Sequence, residues 1–499
     1  MLQSLAAALT PVNLVLALLG VAAGTAIGAI PGLTATMAVA VLVPLTFTMP
    51  PENALILMGA IYTGAIYGGA YAAILLNTPG TPSAIATTLD GFPMAKRGDG
   101  DLAMTIACLA SVAGGIVGAL ALLTLAPPLS KVALSFGPAE YFWLAIFGLS
   151  LIAALSEGSL LKGLAGGAFG LLVSCVGVAE ISADVRLTFG SHTLISGINV
   201  VAALIGLFCI PVLIDLVSTP ERHLKIETEQ RGFRLGEAFA HVWREKLTLI
   251  RSSMIGTIVG ILPGAGGSVA GLVAYSEARR TAKPGQSFGK GEPAGVIASE
   301  SSNNATVGGG FIPTLVLGIP GTPPDAVILG ALLVQGLRTG PSLFTEKATI
   351  VYTFIWGLMF ATILMLPVGL LLGRYAYKSI VAMPKAILVP AVAFMTIIGT
   401  YAINNNISDV VIMIVLGVIG WVLGRFGYLA SPIVLGLILG PIAEQGFVQA
   451  WTIGVAREDL FGMFFGRPIS LGIILFTLFS LFSPILIEKW KRRSALNER

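Results

Sequence analysis

The sequence predicts an all-α polytopic membrane protein, with about twelve transmembrane helices in two structurally similar repeats and broken or re-entrant helices at corresponding positions. Three observations carry that expectation. Of the 499 residues, 55% are hydrophobic and 11% charged, against roughly 25% charged in ordinary globular proteins, too few to cover a water-facing surface of this size. Apolar stretches of about 17 to 25 residues, enough to cross a hydrocarbon core of about 30 Å, recur along the chain. Two Pro/Gly-interrupted blocks also occur twice, in the same order. The composition excludes a soluble enzyme, a nucleic-acid binder and a disordered scaffold. The expected surrounding is a lipid bilayer.

The first apolar run, residues 13–30, is read as a retained span and not as a signal peptide, because no Lys or Arg precedes Lys96. Further candidate spans follow near 33–49, 54–76, 105–126, 140–155, 160–178 and 197–217. After a polar interval come 247–262, 294–317, 350–372, 386–403, 409–424, 428–443 and 470–488, some of them half-helices. This divides the chain into a first repeat (1–217), a charged connector (218–246), a second repeat (247–445) and a C-terminal span with a basic tail (446–499). Arg222, Lys225, Arg231, Arg234, Arg244 and Lys246 crowd the connector, and Lys489, Lys491, Arg492 and Arg493 follow the last span. Both clusters are expected on the cytoplasmic side, since Lys and Arg in short loops set orientation. Cys108, Cys175 and Cys209 each lie in an apolar run without paired spacing and read as packing residues.

The repeat is the most informative feature. Gly24-Thr25-Ala26-Ile27-Gly28-Ala29-Ile30-Pro31-Gly32 matches Gly256-Thr257-Ile258-Val259-Gly260-Ile261-Leu262-Pro263-Gly264 at an offset of 232. Farther on, Gly68-Gly69 and Leu76-Asn77-Thr78-Pro79-Gly80-Thr81-Pro82 match Gly309-Gly310 and Leu317-Gly318-Ile319-Pro320-Gly321-Thr322-Pro323 at an offset of 241. Paired interruptions of this kind point to the substrate site of a secondary transporter. In Pro79-Gly80-Thr81-Pro82, proline removes a donor and disfavours helix before it. Glycine permits the turn, threonine suits an N-cap and the second proline the first helical position. Pro320-Gly321-Thr322-Pro323 repeats that grammar, with Asp325 at the third helical position. Each copy therefore presents a helix start whose unpaired N–H groups attract anions. The alternative is a tight turn at the membrane surface.

The run Ser299-Glu300-Ser301-Ser302-Asn303-Asn304-Ala305-Thr306 is densely polar. Its side chains can coordinate a hard cation or bond a carboxylate, and Glu300 can titrate or pair with a cation. A polar helix start at the interface is the other reading. Tyr62 to Tyr71 in the first half reads as close packing through small residues, and Lys96-Arg97 as a topology signal. Gly264-Ala265-Gly266-Gly267 is a poor dinucleotide fingerprint, and Gly285 to Gly291 lacks the spacing of a phosphate loop. With three dispersed histidines and no catalytic constellation, neither a metal site nor an enzyme is expected.

From Gly24 to Ala103, including Tyr67-Gly68-Gly69, Leu75-Leu76-Asn77-Thr78-Pro79-Gly80 and Asp90-Gly91-Phe92-Pro93-Met94-Ala95, the chain resembles the large membrane subunit of the tripartite tricarboxylate transporters. Glu300, Asn303-Asn304-Ala305, Gly309-Gly310 and Leu317-Gly318-Ile319-Pro320-Gly321 are similar to that family's second block, while Pro324-Asp325 departs from the small residues expected there. The resemblance implies a multi-pass permease of the bacterial inner membrane, and the basic tail puts its C-terminus on the cytoplasmic side. It also implies a small four-helix membrane subunit and a periplasmic solute-binding protein as partners, a di- or tricarboxylate substrate, and no cofactor beyond a coupling ion, Na+ or H+. Substrate contact is then expected from Asn77, Thr78, Pro79, Gly80 and Thr81, from Gly318, Ile319, Pro320, Gly321 and Thr322, and from Asn303 and Asn304. Glu300, Ser301 and Asn303 are the candidates for the coupling ion. A passive anion channel, a permease for another class of organic acid, a membrane enzyme and an ATP-driven importer are the rival classes.

Overall fold

The computed structural model describes residues 2–155, 159–179, 181–218, 232, 234–376 and 384–497, with only the backbone described for 152–155, 376 and 483–497. The connector residues Arg222, Lys225 and Arg231 lie outside that set. Among the described residues, apart from a two-stranded hairpin pairing Gly177–Val178 with Val185–Arg186, the regular elements are helices.

In chain order these begin with α1 (Leu2–Ala8), α2 (Pro11–Gly28), α3 (Ala35–Leu42), α4 (Pro51–Leu76), α5 (Ile85–Met94), α6 (Gly100–Ala133), α7 (Pro138–Leu155), α8 (Leu160–Ser174) and α9 (Val200–Ser218). After the connector come α10 (Leu235–Arg244), α11 (Lys246–Ile261), α12 (Gly266–Arg280), α13 (Pro293–Leu317), α14 (Pro323–Val334), α15 (Pro341–Glu346) and α16 (Ala348–Leu371). Helices Lys385–Asn404, Ile407–Arg425, Ala430–Ala456, Leu460–Phe465 and Pro468–Asn497 complete the chain. Among the described residues, eight helical stretches are long and apolar enough to cross a membrane. The longest, Pro82–Ala133, runs through a kink at Gly98, whose φ is +90°. This is the architecture of a multi-pass membrane protein.

Why the interrupted helices stay buried follows from what covers them. All 23 residues from Ala294 to Val316 of α13, and the run Ala54–Ile74 of α4, are buried. Small residues make such central positions accessible: a Cβ at Gly24 or Gly28 of α2 would strike the carbonyl oxygens of Ile61 and Ala65 on α4. Gly114 and Gly118 of α6 meet the Ser301 and Ala305 carbonyls of α13 in the same way. Backbones approach this closely only where one helix lacks side chains.

The packing is crossed. α2 lies on α4 and α11 lies on α13, but α6 lies against α11 and α13, whereas α16 lies against α2 and α4. The same exchange recurs at the outer helices: α9 packs on Lys385–Asn404 and Ile407–Arg425, while Ala430–Ala456 packs on α7 and α8. Residues before and after the connector are therefore interleaved.

Candidate functional site

The two Pro-Gly-Thr-Pro elements are built alike. α4 ends on Asn77 and α13 on Gly318, both left-handed, with φ of +53° and +72°. Glycine adopts that conformation freely, and asparagine is among the few other residues that tolerate it. Thr81 and Thr322 are extended and hand the chain to a new helical segment that opens on Pro82 or Pro323. The glycine in each turn is pressed onto backbone. A Cβ at Gly80 would strike the Gly28 carbonyl and lie 2.8 Å from Gly69 Cα; one at Gly321 would lie 2.5 Å from the Gly260 carbonyl and 2.8 Å from Gly310 Cα.

Both turns open on one cavity of about 430 Å³. Four helix starts surround it: Thr34-Ala35 of α3, Thr81-Pro82-Ser83, Ala265 to Ser268 of α12, and Thr322-Pro323-Pro324 of α14. Side chains such as Tyr62, Leu207, Phe208 and Leu435 supply the rest of the wall. None of its described lining residues is charged. Such a cavity can hold an anion only through amide and hydroxyl donors and helix ends.

The residues singled out in the sequence divide into three groups. Thr81, Pro320, Gly321 and Thr322 line the cavity. Asn77 and Thr78 are exposed, Pro79 is half-buried, and Gly80, Gly318 and Ile319 are buried or nearly so, shaping the turns without lining the cavity. Asn303 and Asn304 are fully buried on α13. Among the described residues the Asn303 side chain has no hydrogen-bond partner at either polar atom, and it faces Gly267, where a Cβ would strike its Oδ1. Asn304 Oδ1 accepts from Thr63 Oγ1 at 3.4 Å. Glu300 lies elsewhere on α13, fully buried; Thr87 Oγ1 of α5 donates to its Oε1 at 2.5 Å and Ser111 Oγ of α6 to its Oε2 at 2.9 Å. Ser301 donates to the Ala298 carbonyl at 3.5 Å. Glu300 has no ion pair among the described residues.

Several cavity residues were not anticipated. Thr34, Ser83 and Gly266 to Ser268 carry no motif in themselves. The signal was present in the repeat, since Pro31-Gly32 and Pro263-Gly264 stand at the 232 offset just before α3 and α12.

A polytopic helical protein whose interrupted helices converge on an uncharged, partly polar cavity has the form of a membrane transport protein. Comparison with known proteins gives the family. Residues 14–435 match the model of the "Tripartite tricarboxylate transporter TctA family", and the chain belongs to that family. It is 36% identical over 469 residues to an uncharacterized 52.8 kDa protein of Agrobacterium vitis from the TAR-I ttuC' 3' region, covering 94% of this chain and 92% of that protein. A second Agrobacterium vitis protein, from the TAR-II ttuC' 3' region, is 36% identical over 207 residues, or 41% of this chain and 85% of that protein. No solved structure matches. The family is a transporter family and makes this chain a component of a tripartite transporter, which implies partner subunits.

Proposed function

We propose that this chain is the substrate-carrying subunit of a secondary active importer in the bacterial inner membrane. It takes up an organic carboxylate of the di- or tricarboxylate class, delivered by a periplasmic binding protein and accompanied by a small four-helix membrane subunit, and is driven by a Na+ or H+ gradient. The observation that carries the reading is the single cavity reached by both interrupted elements: helix ends at membrane depth can bind an anion without buried lysines. Thr81, Pro320, Gly321 and Thr322 act at the cavity wall, with Asn303 and Asn304 behind it, while Asn77 to Gly80 and Gly318-Ile319 form the breaks. The units are two similar halves, 1–217 and 247–445, joined by the connector 218–246 and followed by a C-terminal span with a cytoplasmic tail.

Glu300, with Ser301 and Asn303 on the same helix, serves the coupling ion. A fully buried carboxyl held only by hydroxyls is a costly group in a membrane protein, and such groups mark ion pathways. Glu300→Gln is expected to abolish gradient-driven accumulation at least tenfold while substrate counterflow continues.

The test is uptake of a carboxylate panel by proteoliposomes holding both membrane subunits, with and without the binding protein, under imposed Na+ or pH gradients. Accumulation that needs both the binding protein and a gradient is the expected result. Conductance that needs neither would make the protein a channel.

A further inference from the structure

We propose that Asp325 is a proton site joined to the cavity through the hydroxyls of Thr322 and Tyr62, so that a di- or tricarboxylate anion binds together with a proton. This rests on the carboxylate reading above and adds a proton to whichever ion Glu300 serves.

The two poles of the cavity, at Thr81 and at Thr322, differ in what stands behind them. At the first, the Thr81 hydroxyl meets that of Ser83 at 2.9 Å. At the second, Thr322 Oγ1 donates to Asp325 Oδ2 at 2.5 Å and meets the Tyr62 hydroxyl at 2.8 Å. Tyr62 and Thr322 line the cavity and Asp325 does not. A file of oxygens therefore runs inward from the wall to a fully buried carboxyl. At the 241 offset, Tyr62, Pro324 and Asp325 stand where the other copy has Asn303, Ser83 and Ala84. Only one pole ends on an acid.

That acid has no cation. Its Oδ1 is buried without a hydrogen-bond partner among the described residues. α14 packs on α3, the turn Val43–Thr46, α4, α9, α13 and the helix Ala430–Ala456, and none of these elements carries Lys, Arg or His. The titratable group that meets it, through Thr322, is Tyr62 of α4. Glu300 of α13 is held elsewhere by Thr87 and Ser111, and Asp215 of α9 and Glu444 pair with Arg425 and Arg186. An ionised carboxyl buried without water or a cation is costly, and a proton removes that cost. A hard metal ion such as Ca2+ takes about six to eight oxygens, far more than gather here.

The hydroxyls can relay the proton because each both donates and accepts. With Asp325 ionised, Thr322 donates to Asp325 and Tyr62 donates to Thr322, so the wall offers the substrate a lone pair. When Tyr62 Oη takes a proton from cavity water, its own proton passes to Thr322 and the Thr322 proton to Asp325 Oδ2. The file then points outward, and the Tyr62 O–H donates into the cavity. An arriving carboxylate meets a donor with a neutral acid behind it, instead of a like charge. Proton and anion each strengthen the binding of the other.

The test is calorimetric binding of succinate and citrate to the purified full-length protein in nanodiscs, in buffers of different ionisation enthalpy. It is run at about pH 8 and 9, where ordinary carboxyls are ionised. About one proton should be taken up per anion, and affinity should fall about tenfold between the two pH values. Asp325→Asn, which keeps the shape, should bind without proton uptake and equally at both pH values. Asp325→Ala, which copies the first element, replaces it if that variant fails to fold by size exclusion and circular dichroism. Tyr62→Phe should weaken binding at least fivefold. Binding without proton uptake, uptake that persists in folded Asp325 variants, or a folded Tyr62→Phe of unchanged affinity would overturn the proton site and leave the carboxylate reading in place. Affinity that follows Na+ at fixed pH, and ceases to in Asp325→Asn, would give the acid to a metal ion and overturn it too. No binding of either anion by the folded parent would remove both readings.

Discussion

The first and second Pro-Gly-Thr-Pro elements occupy equivalent backbone seats and present opposite chemistry. In both, a glycine rests on the carbonyl of a neighbouring helix and on the Cα of a glycine in the preceding one. The first then carries Ser83-Ala84 and leaves its helix start uncapped; the second carries Pro324-Asp325, a threonine cap and a tyrosine contact. Sterics hold the positions where backbone meets backbone, because no side chain fits there. The positions that face the cavity have no such constraint, and it is there that the two copies differ.

The sharpest way to break this comparison is to attack what the elements share. Gly80→Val and Gly321→Val each force side-chain atoms into a backbone carbonyl, and overpacking against backbone costs about 1 to 3 kcal/mol or more. Both should reduce proteoliposome uptake at least a hundredfold, with membrane insertion retained. Unequal effects, one variant transporting normally, would show that only one element works.

Next in size is a latch between α5 and the loop before α13, whose acid has no acidic counterpart at the 241 offset. Asp90 Oδ1 accepts from the Gly291 and Glu292 N–H groups, each at 2.8 Å, and its Oδ2 from Tyr275 at 2.9 Å. Arg97 reinforces the same loop by donating to the Gly291 carbonyl at 2.6 Å. The position matching Asp90 at the 241 offset is Ala331. Asp90→Ala should destabilise by at least about 4 kcal/mol, since three bonds to the carboxylate are lost and bonds to a charged acceptor are worth about 1.5 to 3 kcal/mol each. A thermal-shift assay in detergent checks it, and an unchanged midpoint would remove the latch. Smaller again is the difference between the two threonines. Thr322→Ala loses a cap worth about 1 kcal/mol and strands Tyr62 and Asp325, for a total of at least about 3 kcal/mol. Thr81→Ala loses only its bond to Ser83 and should cost under about 1 kcal/mol. Equal midpoints for the two variants would contradict the asymmetry of the poles.

The sequence made the interrupted elements legible because proline and glycine act locally: a missing donor and a permitted left-handed turn need no knowledge of neighbours. The left-handed residues are Asn77 and Gly318, however, and not Gly80 and Gly321, whose missing side chains serve close backbone packing instead. The exchanged packing of α6 and α16 was not legible, since a stripe of small residues shows that a helix will be approached closely and not by which partner. The same limit hid the approach of Gly267 to Asn303. Gly264-Ala265-Gly266-Gly267 was visible only as a failed dinucleotide motif, and Asn303 only as one member of a polar run. What joins them is the fold, which lays α12 across α13 and sets Gly267 in front of one carboxamide among several. The acid at 325 could be seen as an N-terminal carboxylate, but its effect depends on Tyr62, 260 positions away in sequence along its bond to Thr322.

The smallest expected effect concerns the place where the two copies touch. Thr63 on α4 and Asn304 on α13 stand at the 241 offset, and Thr63 Oγ1 donates to Asn304 Oδ1 at 3.4 Å, fully buried. Equivalent positions of a duplicated unit can contact each other only near the axis relating the copies. If the copies are related in that way, the contact is a geometric consequence of the packing and not a source of its stability. The length of the bond agrees, being well beyond the common range of about 2.5 to 3.0 Å for an O–H···O bond. Thr63→Val keeps the shape and removes the donor, so it should cost less than about 1 kcal/mol and change uptake less than threefold. A loss of more than about 2 kcal/mol, in the range expected for stranding a buried acceptor, would mean that this contact helps hold α4 to α13. The asymmetry of the poles would then have to be explained by an interaction at the centre, and not by the cavity-facing substitutions at 62 and 324.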